Sequence, residues 1–221
     1  MKKINIKDTV IRIVILCVGL AIAHLGVSLF LLANLGADPF NVLIQGLYHA
    51  VENVIAIATH GRVHMVICFL IISILLLVDK SYIKIGTIIC MVCGGPIIDF
   101  YNLILGPIFE NDISLVIRVL INGLGCVILA YGMTIVIKSE AGTGPNDLVA
   151  VVISDKLKKP FGIIRIIVDI CFVGIGFLLG GTVGIGTLIC AFLVGPVAGI
   201  FLPINEKIIT GIINKKVKND T

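Results

Sequence analysis

Apolar residues in this chain gather into six long runs separated by short polar turns. The runs cover about Arg12–Ala33, Arg62–Val78, Lys84–Leu105, Arg118–Ile137, Gly162–Leu179 and Ile185–Ile204. Runs of this length reach across the hydrocarbon of a bilayer as helices. Gly94-Gly95-Pro96 interrupts the third run and Gly195-Pro196 lies inside the sixth. Two shorter stretches of mixed character follow the first and fourth runs. One opens with Asp38-Pro39, an N-cap residue with proline at the first helical position, and carries Gln45, His49, Glu52 and Asn53. The other opens at Pro145 and ends before Lys158-Lys159-Pro160. Asp79-Lys80-Ser81 and Gly180-Gly181-Thr182 read as tight turns, and the loop from Gly106 to Ser114 divides the chain. Beyond Lys207 the tail is polar and basic.

The two polar interruptions correspond. Leu35-Gly36-Ala37-Asp38-Pro39-Phe40-Asn41 follows the first run, and Ala141-Gly142-Thr143-Gly144-Pro145-Asn146-Asp147 follows the fourth. A single offset places Arg12 on Arg118, Gly19 on Gly125, Gly26 on Gly132, Gly36 on Gly142 and Pro39 on Pro145. Gly86-Thr87 and Pro96 match Gly186-Thr187 and Pro196 at an offset shorter by six, which puts extra residues of the first half near Glu52–Thr59. The pattern is that of an internal duplication, with repeat 1 at about 10–108 and repeat 2 at about 116–206.

Each mixed stretch is too short to cross. From Pro145 to Asp155 a helix is roughly 16 Å long, about half the hydrocarbon thickness. Continuing across would place Lys156, Lys158 and Lys159 near the midplane, at a few kcal/mol each. A return to the face of entry costs less. Each repeat then has three spans and one re-entrant helix, and an odd number of spans inverts the second repeat relative to the first. The expected fold is all-α: a single polytopic bundle of two repeats, with about six spans and two short or re-entrant helices. With both termini cytoplasmic, every Lys and Arg except Arg62 and Arg118 falls on the cytoplasmic side. An eight-span alternative also obeys that rule, with Lys80, Lys84 and Lys138 as its exceptions; helix length favours six.

Composition agrees. Of 221 residues, 58% are hydrophobic and 14% charged, with a mean hydropathy of +1.16. A soluble domain carries nearer a quarter charged residues, which excludes that class here. The net charge of +4 is topology signal and implies no nucleic-acid partner. Lys2, Lys3 and Lys7 before an apolar stretch imitate a signal peptide, but the stretch runs on to Ala33, too long for one. Seven cysteines all sit in apolar runs, so neither a disulfide framework nor a Cys90-x-x-Cys93 metal pair is expected.

Candidate chemistry lies first in the loops. Non-helical backbone at membrane depth survives where it is buried in protein or lines a watery cavity. Free N–H groups and the following helix N-terminus attract anionic groups there. Gly36, Asp38, Pro39, Asn41, Gly142, Gly144, Pro145, Asn146 and Asp147 are therefore the candidate substrate-binding residues. The plainer alternative is that Asp38 and Asp147 only cap their helices. Four further residues are ionisable within spans: Asp99, Arg165, Asp169 and His24. Arg165 and Asp169 are four apart and can pair on one helix face. His24 alone in its span is expected to bond a backbone carbonyl. His60 and His64 have helical spacing but lack the Glu of a zinc-protease helix, and no P-loop, nucleophile-elbow or dinucleotide fingerprint occurs. No metal, no cofactor and no enzymatic activity is expected.

The two loop sequences resemble the signature of the YczE/YyaS/YitT family of bacterial membrane proteins, and the absence of a soluble C-terminal domain is similar to its YczE-like branch. The resemblance covers essentially the whole chain. It implies a polytopic protein of the cell membrane and no defined molecular activity. The functional expectation is a small-solute transporter or permease of unknown substrate, with Asp99 or Asp169 as a coupling site. The alternative is a non-transporting accessory or assembly protein, for which a dry interior would speak. Its partners would be the lipid bilayer and a small-molecule substrate.

Overall fold

The computed structural model describes residues 6–52, 55, 60–109 and 113–218, without the side chains of 6, 60–62, 99 and 214–218. Its eight α-helices are α1 (Ile6–Ala33), α2 (Pro39–Val51), α3 (His60–Val78), α4 (Ile85–Leu105), α5 (Leu115–Lys138), α6 (Pro145–Leu157), α7 (Phe161–Leu178) and α8 (Ile185–Lys218). There is no strand among the described residues. Five helices (α1, α4, α5, α7 and α8) are long and apolar enough to cross a membrane, and α3 adds a shorter apolar stretch over Val63–Val78. The all-α bundle of spans with two short helices is what the sequence predicts.

At the centre α1 and α5 pack antiparallel, glycine against backbone. A Cβ on Gly125 would lie 2.8 Å from the Gly26 carbonyl oxygen, and one on Gly132 would lie 2.7 Å from that of Gly19. Without side chains at these four positions the two helices approach closely, as small residues permit in membranes. Phe30, Cys126, Ala130 and Met133 carry this contact into a core shared with Ile164 and Val168 of α7 and Val194 of α8.

The short helices α2 and α6 have 13 residues each, about 20 Å, and both end near the level where their loops began. Glu140, before α6, accepts from Lys84 through its carbonyl at 2.7 Å. Lys156, near the end of α6, pairs with Asp79 of the α3–α4 turn at 3.5 Å. On the opposite side, Ala33 before α2 accepts from Arg118 at 3.2 Å, Gln45 midway along α2 accepts from the Thr182 N–H at 2.9 Å, and a Cβ on Gly180 would lie 3.8 Å from that of His49 in the last turn of α2. The eight-span alternative would hold Asp79 and Lys156 at opposite faces.

The loops are secured by contacts that come in corresponding pairs. The Gly186 N–H donates to Leu35 O and the Gly86 N–H to Ala141 O, both at 2.9 Å. Arg12 donates to Ser139 O at 3.3 Å and Arg118 to Ala33 O at 3.2 Å. Gly36 and Gly142 have φ of +128° and +139°, and each faces the start of the other half's last helix: Gly184 and Thr187 for Gly36, Gly86 and Thr87 for Gly142. A side chain at either glycine would be strained and would have no room. The halves differ in how their last helices pack. α8 packs along both α5 and α7, whereas α4 packs on α1 and hardly touches α3.

Two expectations need correction. α4 is not broken at Gly94-Gly95-Pro96 but continuous around Pro96: the proline forfeits one backbone bond, and opening the helix further would free several more in hydrocarbon. α8 does not stop at Ile204 but runs to Lys218 through the basic tail. Asn205, Ile209 and Ile213 recur every fourth residue and are buried, so the tail has an apolar stripe that prolongs the helix. The extra residues near Glu52–Thr59 fall mostly outside the described residues, as do Glu110, Asn111 and Asp112 of the dividing loop.

Gly132→Leu should drive a side chain into the Ala23 backbone and lower stability by about 1–3 kcal/mol, read as a lower unfolding temperature in detergent. Gly123→Leu, where nothing lies within 4 Å, should leave that temperature nearly unchanged.

Candidate functional site

A cavity of about 370 Å³ lies between the two loops. Asp38, Pro39 and Asn41 reach it from α2, and Gly144, Pro145, Asn146 and Asp147 from α6. His24 of α1 and Arg165 of α7 complete the polar lining that the sequence singles out. Asp169 stands behind Arg165, wholly buried. Gly36 and Gly142 are not in the lining; they sit at the seams described above. Asp99 lies on α4, its side chain outside the described residues.

Local chemistry sets each wall. Asp38 has extended backbone and accepts the N–H groups of Phe40 and Asn41, both at 3.2 Å. Pro39 at the first helical position needs no such partner. The N–H groups expected to attract an anion are thus taken by Asp38 itself, and the Asn41 amide also donates to its second oxygen. The α6 end is built differently. Its N-cap is Gly144, which supplies no side chain. Asp147 does not cap; it is turned to Arg165 because a buried guanidinium demands a carboxylate more strongly than a helix N-terminus with its partial charge does. Asn146 donates to Asp147 at 3.2 Å.

Arg165 is the hub. Its Nε donates to Asp169 Oδ2 at 2.9 Å and its Nη1 to Asp147 Oδ1. Nη1 also lies 3.9 Å from the Met133 sulfur. The predicted Arg165–Asp169 pair is present; its third member, Asp147, arrives from another helix. Asp169 Oδ1 is buried and unpartnered. His24 donates to Leu20 O at 2.7 Å from Nδ1, the carbonyl bond expected of it, while its Nε2 faces Gly94 of α4.

Other contributors are not among the candidate site residues, His64 being weighed only with His60 as a metal pair. His64 and Cys68 of α3 and Cys190 of α8 line the cavity, and His64 stacks edgewise on Phe40 with ring centroids 5.5 Å apart. Thr187 donates to Ala37 O, but its counterpart Thr87 has a buried hydroxyl without a partner. Arg12 and Arg118 served only to mark the offset, although that constancy was a signal of their common task.

A family described as a family of unknown function, DUF6198, matches residues 10–203. The chain belongs to that family. The DUF6198 match takes in both loops and every cavity-lining residue named above. The chain is 27% identical to the uncharacterized protein YyaS of Bacillus subtilis over 190 residues, covering 86% of this chain and 92% of that one. It is 27% identical to the uncharacterized membrane protein YczE of the same organism over 198 residues, 89% and 88% of the two chains. An uncharacterized protein of Haemophilus influenzae is 30% identical over 193 residues, 86% and 83% of the two. No solved structure matches significantly. The expected likeness to YczE and YyaS therefore holds, and this DUF6198 member is a membrane protein.

Arg165→Met should leave Asp169 buried without its partner and destabilise the protein by about 3–5 kcal/mol. The double substitution Arg165→Met with Asp169→Leu should recover part of that loss in detergent unfolding experiments.

Proposed function

We propose that the protein is a small-solute transporter of the cell membrane whose substrate occupies the cavity between the two loops. The observation that carries this reading is a cavity with one polar wall, formed where the two short helices begin, within a bundle of apolar helices. Lining residues come from α2 and α6, one in each half of the chain. The cavity has room for about a dozen water-sized groups at 30 Å³ each. A dry, apolar interior would have favoured the accessory role.

The antiparallel α1–α5 contact and the paired cross-contacts support an inverted duplication, the arrangement in which transporters place substrate at a repeat interface. The unequal halves support alternating access. α7 and α8 are packed together while α3 and α4 stand apart, and Thr187 closes on its loop while Thr87 does not. In this reading the second half is the closed one, and exchange of the two arrangements would open the opposite side. The excess of Lys and Arg at the termini, the α3–α4 turn and the α6–α7 connection supports cytoplasmic termini.

Reconstituted proteoliposomes should take up at least one solute from a panel of small amines, amino acids, organic acids and sugars. Asp147→Asn should lower the initial rate tenfold or more. Absence of flux for every solute, with and without proton or sodium gradients, overturns the transporter. For topology, single cysteines at positions 80 and 158 in a cysteine-free background should react with an impermeant thiol reagent from the same side of the membrane.

A further inference from the structure

The cavity's charges do not balance. Asp38 and Asp147 face it and Asp169 lies behind it, while among the described lining residues Arg165 is the one Lys or Arg. Arg165 is shared between two of these carboxylates. The N-termini of α2 and α6 contribute roughly half a positive charge each. About one negative charge remains without compensation, in surroundings where an unpaired charge is costly.

Hydrogen-bonding capacity points the same way. Asn41 and Asn146 each donate an amide N–H to the neighbouring aspartate, which leaves their Oδ1 atoms as acceptors. His24 donates from Nδ1 to Leu20, which leaves Nε2 an acceptor. Arg165 directs Nε and Nη1 to carboxylates. Asp169 Oδ1, fully buried, accepts from nothing. The polar wall thus offers acceptors and net negative charge, and the donors it keeps, at Arg165 Nη2 and on the two asparagine amides, lie beside carboxylates that would repel an anionic ligand. Apart from His64 and three cysteines, the remaining lining is apolar, including Leu20, Val27, Met91, Ile98 and Leu129.

From this arrangement we propose that the cavity binds a small organic cation, with its ammonium group between Asp38 and Asp147 and its carbon body against the apolar wall formed by α1, α4 and α5. The inference rests on the transport reading for its purpose, but binding can be measured without flux.

The test uses full-length protein in detergent, with potassium as the background cation at constant ionic strength. Thermal stabilisation is titrated with n-butylammonium, with 1-butanol as the neutral analogue and butanoate as the anionic one. A separate arm exchanges sodium for potassium. n-Butylammonium should stabilise the protein at concentrations at least tenfold below either analogue. Asp38→Asn removes the charge while keeping a residue equally suited to capping α2, so it should fold and weaken n-butylammonium binding by about tenfold. Asp147→Glu, which keeps the charge, should bind more tightly than Asp147→Asn. Equal or better binding of butanoate, no response to n-butylammonium, or full n-butylammonium affinity in Asp38→Asn overturns the proposal. So does a response confined to sodium. Cation binding without any flux in proteoliposomes would sustain this inference and sink the transporter.

Discussion

A helix interrupted within hydrocarbon frees peptide N–H and C=O groups that water cannot reach, and each must find a partner inside the protein. Much of this architecture answers that demand. The carbonyls of Ala33 and Leu35 accept from Arg118 and Gly186, and those of Ser139 and Ala141 accept from Arg12 and Gly86. Each loop is therefore satisfied by the other half of the chain. Neither half supplies these partners to its own loop.

The same requirement fixes the glycines. Gly36 and Gly142 sit at positive φ against the first turns of α8 and α4, where a Cβ would hold the backbones apart and cut the bonds that satisfy the loops. Depth does the rest. Because α2 and α6 begin inside the bundle, their first turns, with Asp38 and Asp147, look onto a common space. The guanidinium placed there is held by two carboxylates. Asp169 comes from its own helix and Asp147 from α6, so the charge network also fastens α6 to α7.

Much of this was legible in the residues. Asp38-Pro39 and Gly144-Pro145 mark helix starts by chemistry that acts locally, and both helices begin where that chemistry says. Four-residue spacing foretold the Arg165–Asp169 pair for the same reason. The third partner, Asp147, was not legible, because its choice between a helix end and a guanidinium depends on which helices meet. Pro96 misled for a related reason: its local effect is to break a helix, and the surrounding hydrocarbon outweighs that effect. The basic tail hid a helix because its charges are conspicuous while its stripe of Asn205, Ile209 and Ile213 is sparse. The extent of the cavity could not be read at all, since α3 and α4 differ from α7 and α8 in packing rather than in pattern.

The glycine seam between α1 and α5 carries a mechanical consequence. Backbones that meet at Gly26, Gly125 and Gly132 have no side chains of their own to interlock as cogs at those points, yet Ile135 seats its side chain against Gly19 and stands there as a stop. Sliding one rod along the other would ram that stop into the opposing main chain. Tilting about the crossing leaves the bare stretch touching throughout. Such a joint is a pivot.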